Sequence, residues 1–392
     1  MSVTPARQLW ASTLPGETAS DEAVSPDGTR LFVTGYLGTQ GKFETVAYSA
    51  ATGAQLWATA YLPASSSHGG PAAITVGPDG GTVYVTGDTS SALGQGAATF
   101  AYDAGTGKQL WVSRYHTKGA YLGAPAVSPD GATVYVAGTG RLSGRQSQFA
   151  VIAYAAATGQ QRWLRYYSTV PGFAASAAVS PDGTTVYVTG DSVGSVLTVA
   201  YQATGNLEWA TLYKNPYAGG AAGSQIVAGP GGNAVYVVGT ASNKSGHSDI
   251  ATFAYRAATG KCFWMDRYNA RAGPFAGAIG VTPDGRTVVV TGSPNEGRTG
   301  GYAIAAYNAS TGGQGGRRLP KMRQRCPPGR SSTRTGTRWS SSAPSTSRPG
   351  RSLTAPCCGR PDTPRPRSIR QRSRSVATGP ACSYPARGAT VA

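Results

Sequence analysis

Short runs in which aromatic or β-branched residues alternate with small or polar residues recur along most of this chain. In residues 72–87, AAITVGPDGGTVYVTG, two such runs flank Pro78-Asp79-Gly80. Because proline fixes φ and glycine accepts a positive φ, this tripeptide is typical of a tight turn, and the pattern predicts a β-hairpin. Residues 97–115 repeat the arrangement around Gly105-Thr106-Gly107 and predict a second hairpin. The two hairpins together make a unit of four strands.

The same unit returns six times. Its first signal is a turn of the type Ser-Pro-Asp-Gly, whose prolines recur every 49 to 53 residues at Pro26, Pro78, Pro129, Pro181, Pro230 and Pro283. Its second signal reads Ala-Tyr, then Thr-Gly and, in five units, Trp. A period of this length indicates a solenoid, propeller or array. Units too small to bury their own faces stack around an axis, so we predict an all-β fold, a β-propeller of about six four-stranded antiparallel blades over residues 1–312.

Fixed repeat positions also predict the core and the turns. Tyrosine follows tryptophan by four residues in each complete unit, so the two side chains share one face of a strand, and we expect them to pack between neighbouring blades. The tryptophans, including one before the first unit, are Trp10, Trp57, Trp111, Trp163, Trp209 and Trp264. Turn aspartates cap their own turns by accepting backbone N–H bonds. They are Asp27, Asp79, Asp130, Asp182 and Asp284.

These two signals carry a family resemblance. The stretch AYDAGTGKQLW, residues 101–111, resembles the repeat of pyrroloquinoline-quinone-type (PQQ-like) propellers. The stretch SPDGTTVYVTG, residues 180–190, resembles the YVTN propeller repeat. The resemblance extends over residues 7–312 and implies a propeller architecture. It implies no particular chemistry, because propellers host many unrelated functions.

The two ends of the repeat array are incomplete. Residues Arg7–Ser12, with Trp10, resemble the fourth strand of a blade whose first three strands are missing. The sixth unit has three predicted strands, and no tryptophan follows its Thr311-Gly312. We therefore expect Arg7–Ser12 to pair with the strand that contains Tyr302 to Tyr307. This pairing would complete the sixth blade and leave no exposed sheet edge.

The composition changes abruptly at about Gly313. The chain has a formal net charge of +18, and residues 317–392 hold 17 Lys and Arg against one acid, Asp362, so this part carries +16 and the rest +2. Without hydrophobic periodicity, residues 313–392 are predicted to be a disordered basic tail. One explanation is a reading-frame shift that replaced the end of the sixth blade and a seventh blade of the ancestral protein. The other is an arginine-rich arm that binds nucleic acid through phosphate contacts. We favour the shift, because the change falls inside a repeat.

Histidine and cysteine give no recognisable site. The three histidines lie in different connections, without the paired spacing of a zinc site, at His68, His116 and His247. Cys262 is expected to be a small buried hydrophobic residue on a strand. The adjacent Cys357-Cys358 resembles the vicinal disulfide of quinoprotein dehydrogenases, but this pair lies in the tail, outside any repeat.

In two of the units an aspartate stands at the end of the second strand. Asp88 and Asp191 directly follow Val-Thr-Gly in the second and fourth units, which are not neighbours. A carboxylate pair for acid–base catalysis would require them to meet near the propeller axis. We therefore predict no catalytic, cofactor-binding or metal-binding residues, and no retention of calcium or pyrroloquinoline quinone.

The variable connections indicate where a ligand would bind. In a four-stranded blade the Pro-Asp-Gly and Thr-Gly turns lie at one end, and the connections at the opposite end vary in length and content, as binding loops do. We predict a monomeric, non-enzymatic binding scaffold whose loop-rich end takes a protein, a glycan or a small ligand. The alternative is a propeller enzyme, either a quinone-dependent dehydrogenase or a lactonase-like hydrolase. Nucleic acid is a partner only if the tail is genuine.

Apolar segments say little about location. No run of about 18 apolar residues predicts a membrane span. The first residues, MSVTPARQLWASTLPG, contain no apolar segment of signal-peptide length, although proteins with such repeats are often exported. The sequence leaves the location undetermined.

Overall fold

The regular structure of the protein consists of β-strands. The computed structural model describes residues 9–12, 17–37, 42–61, 70–91, 94–117, 120–141, 146–268, 275–293 and 303–314. These residues form 23 strands. Within the same ranges, no helix is long and apolar enough to span a membrane.

The first three units contain four strands each. The first unit consists of β1 (Glu17–Val24), β2 (Arg30–Leu37), β3 (Lys42–Ser49) and β4 (Gln55–Tyr61). The second consists of β5 (Gly70–Val76), β6 (Thr82–Ser91), β7 (Gly94–Asp103) and β8 (Gln109–Tyr115). The third consists of β9 (Tyr121–Val127), β10 (Thr133–Gly140), β11 (Gln148–Ala155) and β12 (Gln161–Pro171).

The next two units are also four-stranded, and the sixth has three strands. The fourth unit consists of β13 (Phe173–Val179), β14 (Thr185–Ser192), β15 (Ser195–Gln202) and β16 (Leu207–Lys214). The fifth consists of β17 (Ala221–Ala228), β18 (Ala234–Ser242), β19 (Ser248–Arg256) and β20 (Cys262–Tyr268). The sixth consists of β21 (Phe275–Val281), β22 (Thr287–Ser293) and β23 (Ala303–Asn308).

Each unit is an antiparallel sheet whose strands pair in chain order. A single parallel bridge between Ser176 and Ala124 joins the sheets of the third and fourth units. First strands of successive units lie against one another, from β1 and β5 through to β17 and β21, so the first strand is the inner strand of each blade. The prediction of an all-β propeller of about six blades is confirmed, with five four-stranded blades and one of three strands among the described residues.

Hydrogen bonds inside the first turn explain the repeated Ser-Pro-Asp-Gly. In the first unit the Ser25 hydroxyl donates to the Asp27 carboxylate, which also accepts the backbone N–H of Thr29. These bonds, led by the one from Ser25, lower the pKa of Asp27 to about 2. The other turn aspartates that accept the equivalent backbone bond are Asp79, Asp130, Asp182 and Asp284. The aspartates therefore hold turns.

Each fourth-strand tryptophan reaches into the next blade. The indole N–H of Trp111 donates to the backbone carbonyl of Ala156, in the third-to-fourth-strand turn of the next unit, at 2.8 Å. Its ring lies over Gly159, where the φ of +71° favours glycine and a Cβ atom would come within 2.6 Å of the ring. Equivalent bonds join Trp57 to Ala104, Trp163 to Ala203, Trp209 to Ala257 and Trp264 to Ala309. The Thr-Gly turn is thus also the receptor for the preceding tryptophan.

Tyrosines complete this inter-blade core. The Trp111 ring lies 5.9 Å from Tyr84 in its own unit and 6.3 Å from Tyr154 in the next, between ring centroids. Tyr115, four residues after Trp111, is buried, and its hydroxyl forms a hydrogen bond with that of Tyr166 at 2.8 Å. The aromatic residues at these repeat positions therefore pack between neighbouring blades.

The sixth blade differs from the prediction at its outer edge. The sheet of β21, β22 and β23 has no fourth strand among the described residues, and residues 9–12 form no strand. Tyr307 of β23 instead forms a bridge with Gln314, the pair that begins the fourth strand elsewhere, as in Tyr48 and Gln55. Arg7, Gln8 and Tyr302 lie outside the described residues. Among the residues that the structure describes, the expected pairing of Arg7–Ser12 with β23 is not found.

The first unit contacts Trp10 in the way that each later unit contacts the tryptophan of the blade before it. The Trp10 indole donates to the Ala50 carbonyl at 2.8 Å, and its ring stacks on Tyr48 at 6.3 Å and lies over Gly53. Every fourth-strand tryptophan makes the same carbonyl bond and glycine contact with the next unit, and Trp111, Trp163 and Trp264 also contact its tyrosine. Trp10 therefore contacts the first unit as the tryptophan of a preceding fourth strand would, although residues 9–12 form no strand. The tail, residues 315–392, lies outside the described residues.

The tryptophan contacts give a stability prediction. Trp111→Ala should lower the free energy of unfolding by about 3–5 kcal/mol, because it empties a buried aromatic site. Leu110→Ala is the matched control, since Leu110 precedes Trp111 on the same strand and is 51% exposed. Chemical denaturation measures both. Equal midpoints for the two variants would contradict the inter-blade role of Trp111.

The receptor glycine gives a second prediction. Gly28→Ala should cost about 1–2 kcal/mol, because Gly28 has a φ of +69° and open space around it. Gly159→Ala has a nearly identical φ and in addition meets the Trp111 ring, so it should cost about 1–3 kcal/mol more. Denaturation curves compare the two. The prediction fails if both variants lose the same stability.

Candidate functional site

The loop-rich end brings together the ends of second strands and the starts of first strands. There Asp88, in β6, pairs with Gly70, the first residue of β5. The corresponding pair in the first unit is Tyr36 with Thr18, and in the third unit Thr139 with Tyr121. Since the first strands are the inner strands, these residues lie at the mouth of the propeller axis.

Asp88 is the most unusual group at this mouth. Its Oδ1 atom is buried and has no hydrogen-bond partner within the described part of the chain. Burial raises the pKa of Asp88 from its ordinary value of 3.8 to about 6. A buried carboxylate oxygen without a donor is costly, so its presence calls for an explanation such as a ligand that supplies the donor.

The Tyr36 side chain of the first unit lies against Gly70 of the second unit. A Cβ atom at Gly70 would collide with the Tyr36 ring, so only glycine permits this position. The Tyr36 side chain remains 44% exposed. The residue opposite Asp88 is therefore small because a tyrosine from the neighbouring blade occupies the space above it.

Tyr121 of the third unit lies on the other side of Asp88. It is 42% exposed. Burial, followed by the charge of Asp88 and then Tyr36, raises the pKa of Tyr121, which shows that the three groups are electrostatic neighbours. Three successive blades thus contribute one side chain each to a small site, which we call the axial carboxylate site: Tyr36, Asp88 and Tyr121.

Asp191 occupies the same repeat position in the fourth unit but has a different environment. It pairs with Phe173. Burial raises its pKa, and a backbone hydrogen bond from Gly194 opposes this rise. The residue of the next unit that corresponds to Tyr121 is Ala222. Nothing in the described residues joins Asp191 to Asp88 as a catalytic pair.

The fifth unit contains a buried polar network at the same end. The Arg267 guanidinium donates to the Ser242 carbonyl at 2.9 Å, to the Asn215 side-chain oxygen at 2.6 Å and to the Tyr213 hydroxyl at 2.5 Å. It also lies 3.9 Å from the buried carboxylate of Asp249. The network joins the connections on either side of β17 and β18, so it holds the loops of this unit in place.

Other residues considered for chemistry lie apart from this site. His116 and His247 are in separate connections, and His68 lies outside the described residues. Cys262 is buried on β20, and its thiol contacts the Trp264 carbonyl at 3.3 Å. Within the described ranges, no three His, Cys, Asp or Glu side chains converge as metal ligands.

Sequence reasoning identified Asp88 but missed its two tyrosines. Tyr36 and Asp88 occupy the same position in successive units, as do Gly70 and Tyr121. An alignment of the six units would therefore have marked Tyr36 as a departure from the repeat, whereas the position of Tyr121 is also aromatic at Phe173 and Phe275. Their proximity to one Asp could not be deduced without knowing that the first strands are neighbours.

Comparisons with known proteins agree with the fold. Residues 2–163 and 100–274 match the family model described as outer membrane protein assembly factor BamB. No curated protein matches the sequence. Hydrazine synthase of Kuenenia stuttgartiensis is 17% identical, with a TM-score of 0.54, over 79% of this chain and 80% of its own.

Two further structures are similar. The periplasmic gluconolactonase PpgL of Pseudomonas aeruginosa is 18% identical, with a TM-score of 0.54, over 76% of this chain and 84% of its own. The Dos1 propeller is 10% identical, with a TM-score of 0.51, over 76% and 69%. At such identities these structures support the fold alone. Because the family model matches more than half of the chain, the protein belongs to the PQQ-like β-propeller repeat family that this model describes.

Proposed function

We propose that the protein is a non-enzymatic binding scaffold that takes a hydroxyl-bearing ligand, such as a sugar unit, at the axial carboxylate site. The observation that carries the proposal is the buried Oδ1 atom of Asp88, which has no hydrogen-bond donor among the residues that the structure describes. A ligand hydroxyl would supply that donor, which removes the cost of an unpaired buried acceptor.

The two tyrosines suit the same ligand. Tyr36 and Tyr121 are both partly exposed beside Asp88 and offer aromatic surface with a polar hydroxyl tip. Binding sites for small ligands combine such apolar surface with a few convergent polar groups. The scaffold holds the three residues on separate blades, so they are positioned by strand pairing rather than by a mobile loop.

A hydrolase is the second candidate, and one observation favours it. A carboxyl group with a pKa near 6 can hold or release a proton close to neutral pH, as a general acid or base must. One of the similar structures is a gluconolactonase. We rank this candidate second, because a single carboxyl group without a further catalytic partner supports binding more directly than turnover. Retention of a quinone cofactor forms no part of either proposal.

Ligand titration tests the binding proposal. Protein labelled with fluorotyrosine should show saturable shifts of Tyr36 and Tyr121 by ¹⁹F NMR in a panel of monosaccharides and gluconolactone. Asp88→Asn should weaken binding by about tenfold, the loss of one charged hydrogen bond. Asp191→Asn is the matched control, since it occupies the same repeat position without the tyrosine pair, and it should bind normally. Turnover of gluconolactone that depends on Asp88 would favour the hydrolase.

The pKa of Asp88 gives a prediction that needs no ligand. The folded-state pKa is raised, so the folded protein binds a proton more tightly than the unfolded chain, and stability falls as pH rises from about 4 to 6. Asp88→Asn should abolish this loss, so its melting temperature should exceed that of the parent protein more at pH 7 than at pH 4. A constant difference across this range would show that Asp88 is not buried as described.

A further inference from the structure

Exposed aromatic side chains in the described part of the chain lie at one end of the propeller. They are Tyr36, Tyr121, Phe173 and Tyr217. The first three lie at the end of a second strand or the start of a first strand, and Tyr217 lies in the connection between β16 and β17, so all four belong to the loop-rich end. Every other aromatic side chain whose burial the structure describes is at least partly buried. Apolar surface gathered in this way marks an interaction site.

Phe173 extends the axial carboxylate site to the next blade. It is the first residue of β13, as Tyr121 is of β9, and the two strands form a parallel bridge. The bridge joins Ala124 to Ser176, and Tyr121 and Phe173 each precede it by three residues, so their backbones lie side by side. Neighbouring strands are about 4.7–4.9 Å apart. The exposed aromatic surface at Tyr121 therefore continues onto Phe173 of the fourth unit.

The backbone at Phe173 is held from two sides. The N–H of Gly172 donates to the Ser147 carbonyl of the third unit at 3.0 Å. The Ser192 hydroxyl donates to the Pro171 carbonyl at 2.8 Å. The Phe173 side chain is nevertheless 51% exposed. The backbone that carries this half-exposed ring is thus fixed by strand and loop contacts, as a binding surface requires.

The residue types indicate what this extended surface can bind. Phe173 has no hydrogen-bonding group in its side chain and offers only ring surface, whereas the buried Oδ1 atom of Asp88 requires a hydrogen-bond donor. A sugar chain supplies both, because its hydroxyls donate and the C–H face of each ring packs on aromatic side chains. One hexose unit lengthens an extended β-1,4-linked chain by about one strand spacing. Successive units of such a chain would therefore lie over successive first strands.

A peptide in the extended conformation suits this surface less well. Each of β9 and β13 pairs with the second strand of its own unit, and the two strands pair with each other at the bridge. They therefore present side chains, whereas an extended peptide binds to the free edge of a sheet.

We propose that the axial carboxylate site binds the first unit of a linear β-1,4-linked oligosaccharide, and that the next unit stacks on Phe173. The first unit contacts Asp88, Tyr36 and Tyr121, as a single sugar would, and the chain runs from the third blade towards the fourth. This inference rests on the function proposed above, because it takes that site as the first sugar position. It adds the class of ligand, a sugar chain, and the residue that selects for its length.

Matched sugar pairs test the length of the ligand. Isothermal titration calorimetry on the full chain compares glucose, xylose, mannose and N-acetylglucosamine with their β-1,4-linked dimers. For a sugar that binds, the dimer should bind at least about tenfold more tightly, because stacking on Phe173 adds to the contacts of the first unit. If monosaccharides bind and no dimer gains affinity, this inference is wrong and the proposed function stands. If no member of any pair binds, both are wrong.

Variants of Phe173 separate the two sugar positions. Phe173→Ala should reduce the affinity for the dimer to about that for the monosaccharide, whereas Phe173→Tyr keeps the aromatic ring and should keep the gain. Asp88→Asn should weaken monosaccharide and dimer binding alike. Leu207→Ala is the matched control, since Leu207 is an apolar residue of the same unit with 50% exposure and lies outside this surface, so it should alter neither affinity. A gain for the dimer that survives in Phe173→Ala, with folding verified by circular dichroism, would overturn the assignment of the second unit to Phe173.

Discussion

The bond from a fourth-strand tryptophan to the third-to-fourth-strand turn of the next unit is the contact on which the blade arrangement depends. The indole N–H donates to a turn carbonyl, and the ring covers a glycine of positive φ so closely that it leaves no room for a side chain there. Donor and receptor belong to neighbouring units, so no unit completes its own core. Trp10, which precedes the first full blade, donates the same kind of bond to the carbonyl of Ala50.

The same rule explains why the fold could be predicted and where the prediction ended. Pro-Asp-Gly and Thr-Gly mark turns through local backbone requirements, and Trp111 with Tyr115 marks the buried face of a strand, so both signals are visible in one unit of sequence. The strand that pairs with the Trp10 segment could not be predicted in this way. Its contact with Ala50 follows the repeat, but whether its strand pairs with β23 depends on a competing segment, which begins at Gln314.

The sequence keeps to the repeat pattern as far as Gln314, the first residue of that competing segment. Gln314 occupies the place of Gln55, Gln109 and Gln161, each of which pairs with the third-strand tyrosine of its unit. Two residues later the sequence has Gly316 where the other three units have tryptophan. The loss of the blade pattern can therefore be placed between these two positions, inside the fourth strand. An arm added to a finished blade would not begin there.

Function in such an array is found where units differ, because positions that are alike in all units are used for packing. The six units depart from one another at the axis, where Tyr36, Asp88 and Tyr121 meet. This departure places the Oδ1 atom of Asp88 in buried surroundings, which costs stability and gains nothing for packing. A regular scaffold with a tryptophan bond between each pair of neighbouring blades can tolerate this cost, since the departure is confined to three blades. Sequence reasoning found Asp88 because it ends a motif, but it missed Tyr36 and Tyr121, which approach Asp88 only because the first strands of neighbouring blades lie against one another.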